Sequence, residues 1–199
     1  YYTRLLVPDI HLKKCYVHWI KVKELISAGM WNSISRLSQV LSDGLDLVIT
    51  NIWISAYLMG ELSIAQQIPT YISTLTNTLI NLFSPNLTMY YAKDDTEAVV
   101  KELKLSMKFS SFFVNIIFCI LVIFGKYFMQ LWVPNQDVDL IYSLLVVIMM
   151  SLLVSGVTTS LNNVFLVTNR LKVNSIFWLI ISFTNVLLVF IFLNTTSLG

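Results

Sequence analysis

The chain has 199 residues, of which 56% are hydrophobic and only 12% are charged. A soluble domain carries roughly 25% charged residues, and the mean hydropathy of this chain is correspondingly high, at +0.74. This composition argues against an ordinary water-soluble domain, and the formal net charge of +2 gives no reason to expect a nucleic-acid partner. We therefore predict an all-α, polytopic membrane bundle of about five spans.

Residues 1–26 form a basic segment ahead of the first apolar run. Pro8 interrupts the segment, and Trp19 lies among apolar neighbours. Its basic residues are Arg4, Lys13, Lys14, Lys21 and Lys23. Because such a mixture is typical of chain lying at a membrane surface, we predict a cytoplasmic, helical segment. The chain begins without methionine, so we also expect it to be part of a longer protein.

A set of side chains that we call the polar ridge runs along the first predicted span, residues 28–57. Its members recur at spacings of 4, 3, 4, 3 and 4 residues, and they are Asn32, Arg36, Gln39, Asp43, Asp46 and Thr50. This spacing places them on one face of a helix. Each ionised side chain that faced lipid at a helix centre would cost about 2.5 to 3.5 kcal/mol. We therefore predict that the polar ridge lines an intramembrane cavity.

The side chains of the polar ridge suit a phosphate-bearing sugar substrate. Arg36 and Asp43 are seven residues apart, roughly 10 Å along a helix, so they are not an i,i+4 pair and Arg36 is available for an outside anion. A guanidinium group binds phosphate oxygens with a planar fork of donors, and the amides of Asn32 and Gln39 can bind sugar hydroxyls. Asp43 and Asp46 lie one turn apart, a spacing that lets two carboxylates bind a cation or share a proton. The alternative is a dry seam, in which these residues pair with helices outside this chain.

The second predicted span, residues 63–90, follows a short turn at 56–61 and also has a polar face. Its members are Gln66, Thr70, Ser73, Thr74, Asn77, Asn81 and Ser84. Pro69 and Pro85 are predicted to kink this helix, because proline removes a backbone hydrogen bond. We predict that this face is wet, and three of its side chains are amides: Gln66, Asn77 and Asn81.

Three further spans follow a charged connection at residues 91–108. The connection is predicted to be a solvated cytoplasmic helix, with Asp94 or Asp95 at its N-cap. The three spans are predicted at residues 109–132, 138–167 and 173–193. Small residues near the end of the fourth span predict close helix packing there.

The basic residues indicate the orientation of these spans. One set of flanks holds eleven of the 13 Lys and Arg residues, namely Arg4, Lys13, Lys14, Lys21, Lys23, Lys93, Lys101, Lys104, Lys108, Arg170 and Lys172. The opposite flanks hold only Lys126. By the positive-inside rule, the first set is cytoplasmic, the N-terminus lies inside and the C-terminus outside. We therefore predict a multi-pass protein of the cytoplasmic membrane.

The sequence offers little for an enzyme. It contains no nucleophile and base set, no glycine-rich phosphate loop and no metal-ligand spacing. We accordingly predict no catalytic residue, no metal site and no cofactor.

Five segments of the chain resemble a known family. They are ISAGMWNSIS, GLDLVITNIWIS, MGELSIAQQIPTYIS, LFSPNLTMYYAKDD and FGKYFMQLWVP. In this order they look like the second half of bacterial polysaccharide flippases of the multidrug/oligosaccharidyl-lipid/polysaccharide exporter superfamily. The resemblance covers essentially the whole chain and rests on several loosely specific motifs.

The resemblance implies a MATE-like transporter of two six-helix lobes around a central cavity. The five spans would be helices seven to eleven, residues 27–199 would belong to the C-terminal lobe, and residues 1–26 would link it to an N-terminal lobe. The implied substrate is an undecaprenyl-pyrophosphate-linked oligosaccharide, moved by alternating access among membrane lipids. In this interpretation Arg36 attracts the pyrophosphate, and the amides of the first two spans contact the sugar, among them Gln66, Asn77 and Asn81. Asp43 or Asp46 would couple transport to H⁺ or Na⁺. The open alternatives are a multidrug/cation antiporter of the same superfamily, a membrane-embedded polysaccharide-assembly enzyme and a non-transporting structural bundle.

Overall fold

The computed structural model describes residues 18–168 and 171–195, apart from the side chains at 42, 43 and 192–194. Within these ranges the chain forms helices and no strand. The helices are α1 (Trp19–Trp53), α2 (Ala56–Asn81), α3 (Ser84–Ala92), α4 (Thr96–Trp132), α5 (Val138–Val167) and α6 (Leu171–Thr195). The predicted surface segment up to residue 17, and Arg170, lie outside the described residues. The protein is an all-α, polytopic membrane bundle.

The turn between the first two helices is shorter and earlier than predicted. α1 ends at Trp53, and the side-chain oxygen of Ser55 accepts a hydrogen bond from the backbone N–H of Leu58 at 3.1 Å. This contact caps α2, because the first N–H groups of a helix have no partner within it. The prediction of a turn at 56–61 is therefore wrong, and these residues form the first turns of α2. Gly60 is tolerated there at a cost of about 1 kcal/mol relative to alanine.

The predicted helix at 63–90 is divided into α2 and α3. α2 ends at Asn81, and Pro85 is the second residue of α3, where no N–H is needed. The predicted kink at Pro85 is thus a complete break. Pro69, by contrast, lies inside a continuous α2.

The charged connection and the third predicted span are one helix. α4 runs for 37 residues, and its N-cap is Asp95, whose Oδ1 accepts from the N–H of Ala98 at 3.0 Å. Asp94 lies before it in the left-handed region, with φ of 56°. The separate helix predicted at 91–108 is therefore replaced by the end of α3, a tight turn and the start of α4.

Three of the described helices are long and apolar enough to cross a membrane. They are α4, α5 and the Leu171–Ile191 part of α6. α5 begins and ends at the predicted residues. α1 and α2 are of similar length but carry polar faces. That these two helices also span the membrane therefore stays a prediction.

α2, α4 and α5 pack around an apolar core. Its buried members are Ala65, Ile72, Val114, Met129, Ile141, Leu145, Met149 and Leu152. α4 and α5 are antiparallel, since Ser110 Oγ donates to the carbonyl of Gly156 at 2.9 Å while Lys126 pairs with Asp139. A Cβ placed on Gly156 would lie 3.1 Å from a methyl group of Val114, so glycine permits this close approach.

α1 and α6 form a second, parallel pair. They meet along what we call the serine seam, which consists of Ser35, Ser38, Ser175 and Ser182. The hydroxyls of Ser35 and Ser175 are 2.7 Å apart, and Ser182 Oγ donates to the carbonyl of Ser38 at 2.9 Å. At the far end, the ring of Trp53 meets that of Phe190 edge to face at 5.8 Å. Small polar residues of this kind let membrane helices approach closely and hydrogen-bond across the contact.

Candidate substrate-binding face

α1 presents three different faces. Ser35 and Ser38 are buried against α6. A second face is apolar and exposed, and it includes Met30, Leu37, Leu41, Val48 and Ile52. The polar ridge is the third face. Successive helical residues are turned by about 100° around the helix axis. Around α1, the polar ridge therefore lies roughly 90° to one side of the serine seam, and the apolar face lies to its other side.

The described ridge residues are accessible. Asn32 and Arg36 are exposed, and Gln39 is half-buried. The serine seam satisfies its polar groups between α1 and α6, whereas the Asn32 side chain makes no hydrogen bond within the described residues. The part of the ridge from Asn32 to Gln39 is therefore an open polar surface of this chain, whereas Asp46 and Thr50 are half-buried.

Arg36 is the strongest binding group on this surface. Its Nη1 donates to Oε1 of Gln39 at 3.4 Å, which steadies both side chains one turn apart. The two ion pairs among the described residues are Lys21 with Glu24 and Lys126 with Asp139, so Arg36 has no carboxylate partner there. Most of its N–H donors are consequently open to an anion from outside the chain.

The structure describes only one of the two predicted ion-coupling side chains. The side chain of Asp43 lies outside the described residues. Asp46 is half-buried, and its backbone carbonyl accepts from the hydroxyl of Thr50 at 2.7 Å. Their role in coupling stays a prediction.

The polar face of α2 presents amides more than hydroxyls. Thr70 donates to the carbonyl of Gln66 at 2.7 Å, and Thr74 donates to that of Thr70 at 2.9 Å. These hydroxyls are satisfied within their own helix. The side chains of Gln66, Asn77 and Asn81 make no hydrogen bond within the described residues. Gln66 is half-buried and the two asparagines are exposed, so these amides are what α2 offers a ligand.

α2 turns this face away from its buried residues, as α1 turns the polar ridge away from α6. Its buried residues are Glu61, Ala65, Pro69, Ile72, Thr76 and Ile80. Helical spacing puts them roughly 120° from the polar face. The structure therefore joins Arg36 to Gln39, while no hydrogen bond among the described residues links the ridge of α1 to the amides of α2.

A groove of about 700 Å³ lies elsewhere, along the N-terminal half of α4. Its lining includes Lys101, Lys104 and Lys108 together with Val100 and Leu105. None of the described substrate-binding residues predicted from the sequence lines it. Glu97 and Glu102 also line the groove, so its lining carries charges of both signs. The groove lies near the predicted cytoplasmic side, separate from the polar ridge.

Glu61 is a buried acid to which the sequence assigned no role. Glu61 is only 1% exposed, and its Oε1 accepts a hydrogen bond from the backbone N–H of Asp137 at 3.4 Å. Its Oε2 is buried without a hydrogen-bond partner. Carboxylates in membrane helices are functional candidates, and that signal was available, but the turn predicted at 56–61 placed Glu61 outside a helix.

Comparisons with known proteins support a membrane protein and no narrower class. No family model matches the chain, and no solved structure matches it. The uncharacterized membrane protein EpsK of Bacillus subtilis (strain 168) is 29% identical to it over 100 residues. The match covers 50% of this chain and 20% of EpsK. This chain therefore corresponds to a small part of that relative.

Proposed function

We propose that this chain is part of a transporter that flips undecaprenyl-pyrophosphate-linked oligosaccharide repeat units across the cytoplasmic membrane for surface polysaccharide biosynthesis. The observation that carries the proposal is Arg36, an exposed cation without a carboxylate partner among the described residues, on a ridge that α1 turns away from α6. A charge in that position is costly against lipid, so it needs water or an anionic ligand.

The chemistry of the two polar faces fits such a substrate. Arg36 binds the pyrophosphate, because a guanidinium group donates in parallel to two phosphate oxygens. The amides of Asn32 and Gln39 on α1, and of Gln66, Asn77 and Asn81 on α2, both donate and accept, as sugar hydroxyls require. A cationic drug would be repelled by Arg36, which disfavours the antiporter alternative.

Transport by alternating access needs a second wall opposite these faces. The resemblance implies an N-terminal lobe of the same protein, outside this chain. In the proposal, the polar ridge closes against that lobe and opens toward each membrane side in turn, and Asp43 or Asp46 couples the movement to H⁺ or Na⁺. The likeness to EpsK supports the membrane setting of this proposal.

Replacing Arg36 tests the proposal. In the full-length protein, Arg36→Ala should lower surface polysaccharide at least about tenfold at normal expression, since a hydrogen bond to a charged group contributes about 1.5 to 3 kcal/mol. Arg36→Lys should restore part of the activity, because lysine keeps the charge but not the fork.

Lys23 supplies the matched control, as an exposed base on the same helix and away from the ridge. Lys23→Ala should leave surface polysaccharide unchanged. Normal polysaccharide in the Arg36→Ala strain contradicts the role of Arg36. Sensitivity to cationic drugs in a deletion strain, with polysaccharide intact, would instead favour the antiporter.

A further inference from the structure

Three lysines lie along the N-terminal half of α4, and we call them the lysine stripe. Lys101, Lys104 and Lys108 recur at spacings of 3 and 4 residues, so they share one face of the helix. All three are exposed. Ser106 and Ser110, which are buried and hydrogen-bond to α5, lie on roughly the opposite side of the helix. The lysine stripe therefore points away from the packing of α4 on α5.

The ammonium groups of the lysine stripe are not neutralised within the described residues. No ion pair among these residues includes a lysine of the stripe. Two acids line the same groove. Glu102 accepts a hydrogen bond from the amide of Asn86 at 2.8 Å, and Glu97 lies one turn before Lys101, in the first turn of α4. The stripe is therefore available to an anion from outside the chain.

The position of the lysine stripe along α4 matches the surface of a membrane. Lys126 follows Lys108 by 18 residues, about 27 Å along the helix, and no charged residue lies between them. The hydrocarbon core of a bilayer is about 30 Å thick. When Lys126 lies at one boundary of this core, Lys108 lies at the other, and Lys104 lies about 6 Å further out, in the headgroup layer. Glu97 lies about 16 Å out, beyond that layer, so depth separates the carboxylate from the ammonium groups.

A second groove continues from the lysine stripe toward the apolar half of α4. It has a volume of about 450 Å³, and its lining is Met107, Lys108, Ser111, Phe112, Asn115 and Val157. Lys108 lines both grooves. Phe112, one turn to the membrane side of Lys108, is 66% exposed, and the amide of Asn115 is satisfied by the carbonyl of Ser111 at 2.8 Å. A charged groove at headgroup depth is thus joined to a groove with apolar side chains at acyl-chain depth.

We propose that these two grooves form a binding site for an anionic phospholipid of the bilayer. The phosphate contacts the ammonium groups of Lys104 and Lys108, and an acyl chain lies along Phe112. Lysine suits this ligand, because its charge sits on a flexible stem that crosses apolar surface and reaches the headgroup layer. A soluble anion would match the lysines but would leave the second groove empty. The site needs only that α4 lies in a membrane, so it does not depend on the transport function proposed above.

Native mass spectrometry of the full-length protein tests this site. The protein is extracted from vesicles of phosphatidylglycerol and phosphatidylcholine in equal amounts and with the same acyl chains, so the ratio of the two lipids that stay bound reports the headgroup charge. The unmodified protein should retain phosphatidylglycerol in preference. Lys104→Gln combined with Lys108→Gln should lower the ratio at least about fivefold, which is the contribution of one basic residue near an anionic membrane surface.

Two further variants separate the site from the general charge of the chain. Lys23→Gln combined with Lys93→Gln is the matched control, because it removes the same charge from two exposed bases that line neither groove. This variant should keep the ratio of the unmodified protein. Phe112→Ala should lower the retained amount of both lipids and leave their ratio unchanged, since it removes apolar contact and no charge.

An equal loss of the ratio in the control variant overturns the proposal, because the preference would then come from the total charge. The absence of a preference in the unmodified protein overturns it as well. Displacement of phosphatidylglycerol by inorganic phosphate would assign the lysines to a soluble anion, and displacement by a smaller amount of undecaprenyl pyrophosphate would assign both grooves to an isoprenoid ligand. A dimer that only the lysine and Phe112 variants dissociate would assign the face to a second copy of the chain. Loss of the ratio with normal polysaccharide export upholds the lipid site.

Discussion

The two packing units of this bundle hold together by different means. α2, α4 and α5 enclose an apolar core in which glycine lets Val114 approach the backbone of α5. α1 and α6 instead meet along the serine seam, where hydroxyls bond to one another and to backbone carbonyls. In a membrane, association relies on such close packing and on interhelical hydrogen bonds, because lipid tails are as apolar as the side chains.

The difference explains where the polar surface of the protein lies. A seam of small side chains occupies a narrow part of α1, so a second polar face remains for Arg36 and its neighbours. The core unit buries one face of α2 and leaves the amides of that helix outward. The helices that carry the two polar faces, α1 and α2, are the two long helices that fall outside the strongly apolar set.

The largest difference between the two packing units should come from placing a larger side chain at Gly156, a close contact of the core unit. Gly156→Val should destabilise the full-length protein by about 1 to 3 kcal/mol, since its Cβ would lie 3.1 Å from a Val114 methyl group. Thermal unfolding in detergent measures the change. Gly29→Val is the control, because no heavy atom lies within 4 Å of a Cβ placed there. Equal effects of the two substitutions would mean that α4 and α5 are not closely packed at Gly156.

The serine seam should be less sensitive. Ser182→Ala removes the hydrogen bond to the carbonyl of Ser38, and such bonds in membrane proteins contribute about 0.6 kcal/mol on average. The same unfolding measurement should show a smaller change than Gly156→Val gives. Thr184→Ala should show less still, because the Thr184 hydroxyl bonds to its own helix, at the carbonyl of Ile180. A Ser182→Ala effect as large as that of Gly156→Val would contradict the distinction between the two units.

The sequence predicted the elements whose signals are local. The limits of α5 follow from its apolar run between Asp137 and Thr168, and the cap at Asp95 follows from an acid before a helical pattern. The predicted ridge also takes its place as a face of α1. The prediction for the start of α2 is wrong because Gly60 and Glu61 favour a turn in the sequence, although Ser55 carries the capping signal.

The environment of Glu61 depends on contacts that local patterns do not contain. Its hydrogen-bond donor, Asp137, is 76 residues later in the chain. Only the packing of α2 on α5 buries the carboxyl group, so periodicity within α2 could not predict it. The surroundings of Arg36 could not be predicted either. Helical spacing places Arg36 on the ridge, but only the tertiary structure shows that it has no ion pair within the described residues.

The most direct test of the account is the reaction of single cysteines with a membrane-impermeant thiol reagent. They are placed in the full-length protein at positions 32, 36 and 39 of the polar ridge and at positions 37 and 41 of the apolar face, with Cys15 and Cys119 replaced. Arg36 and Leu37 are both exposed in this chain, so exposure alone does not separate them. Labelling is expected at 32, 36 and 39 and protection at 37 and 41, since the first face meets water and the second meets lipid. Uniform protection would contradict a water-filled cavity along α1.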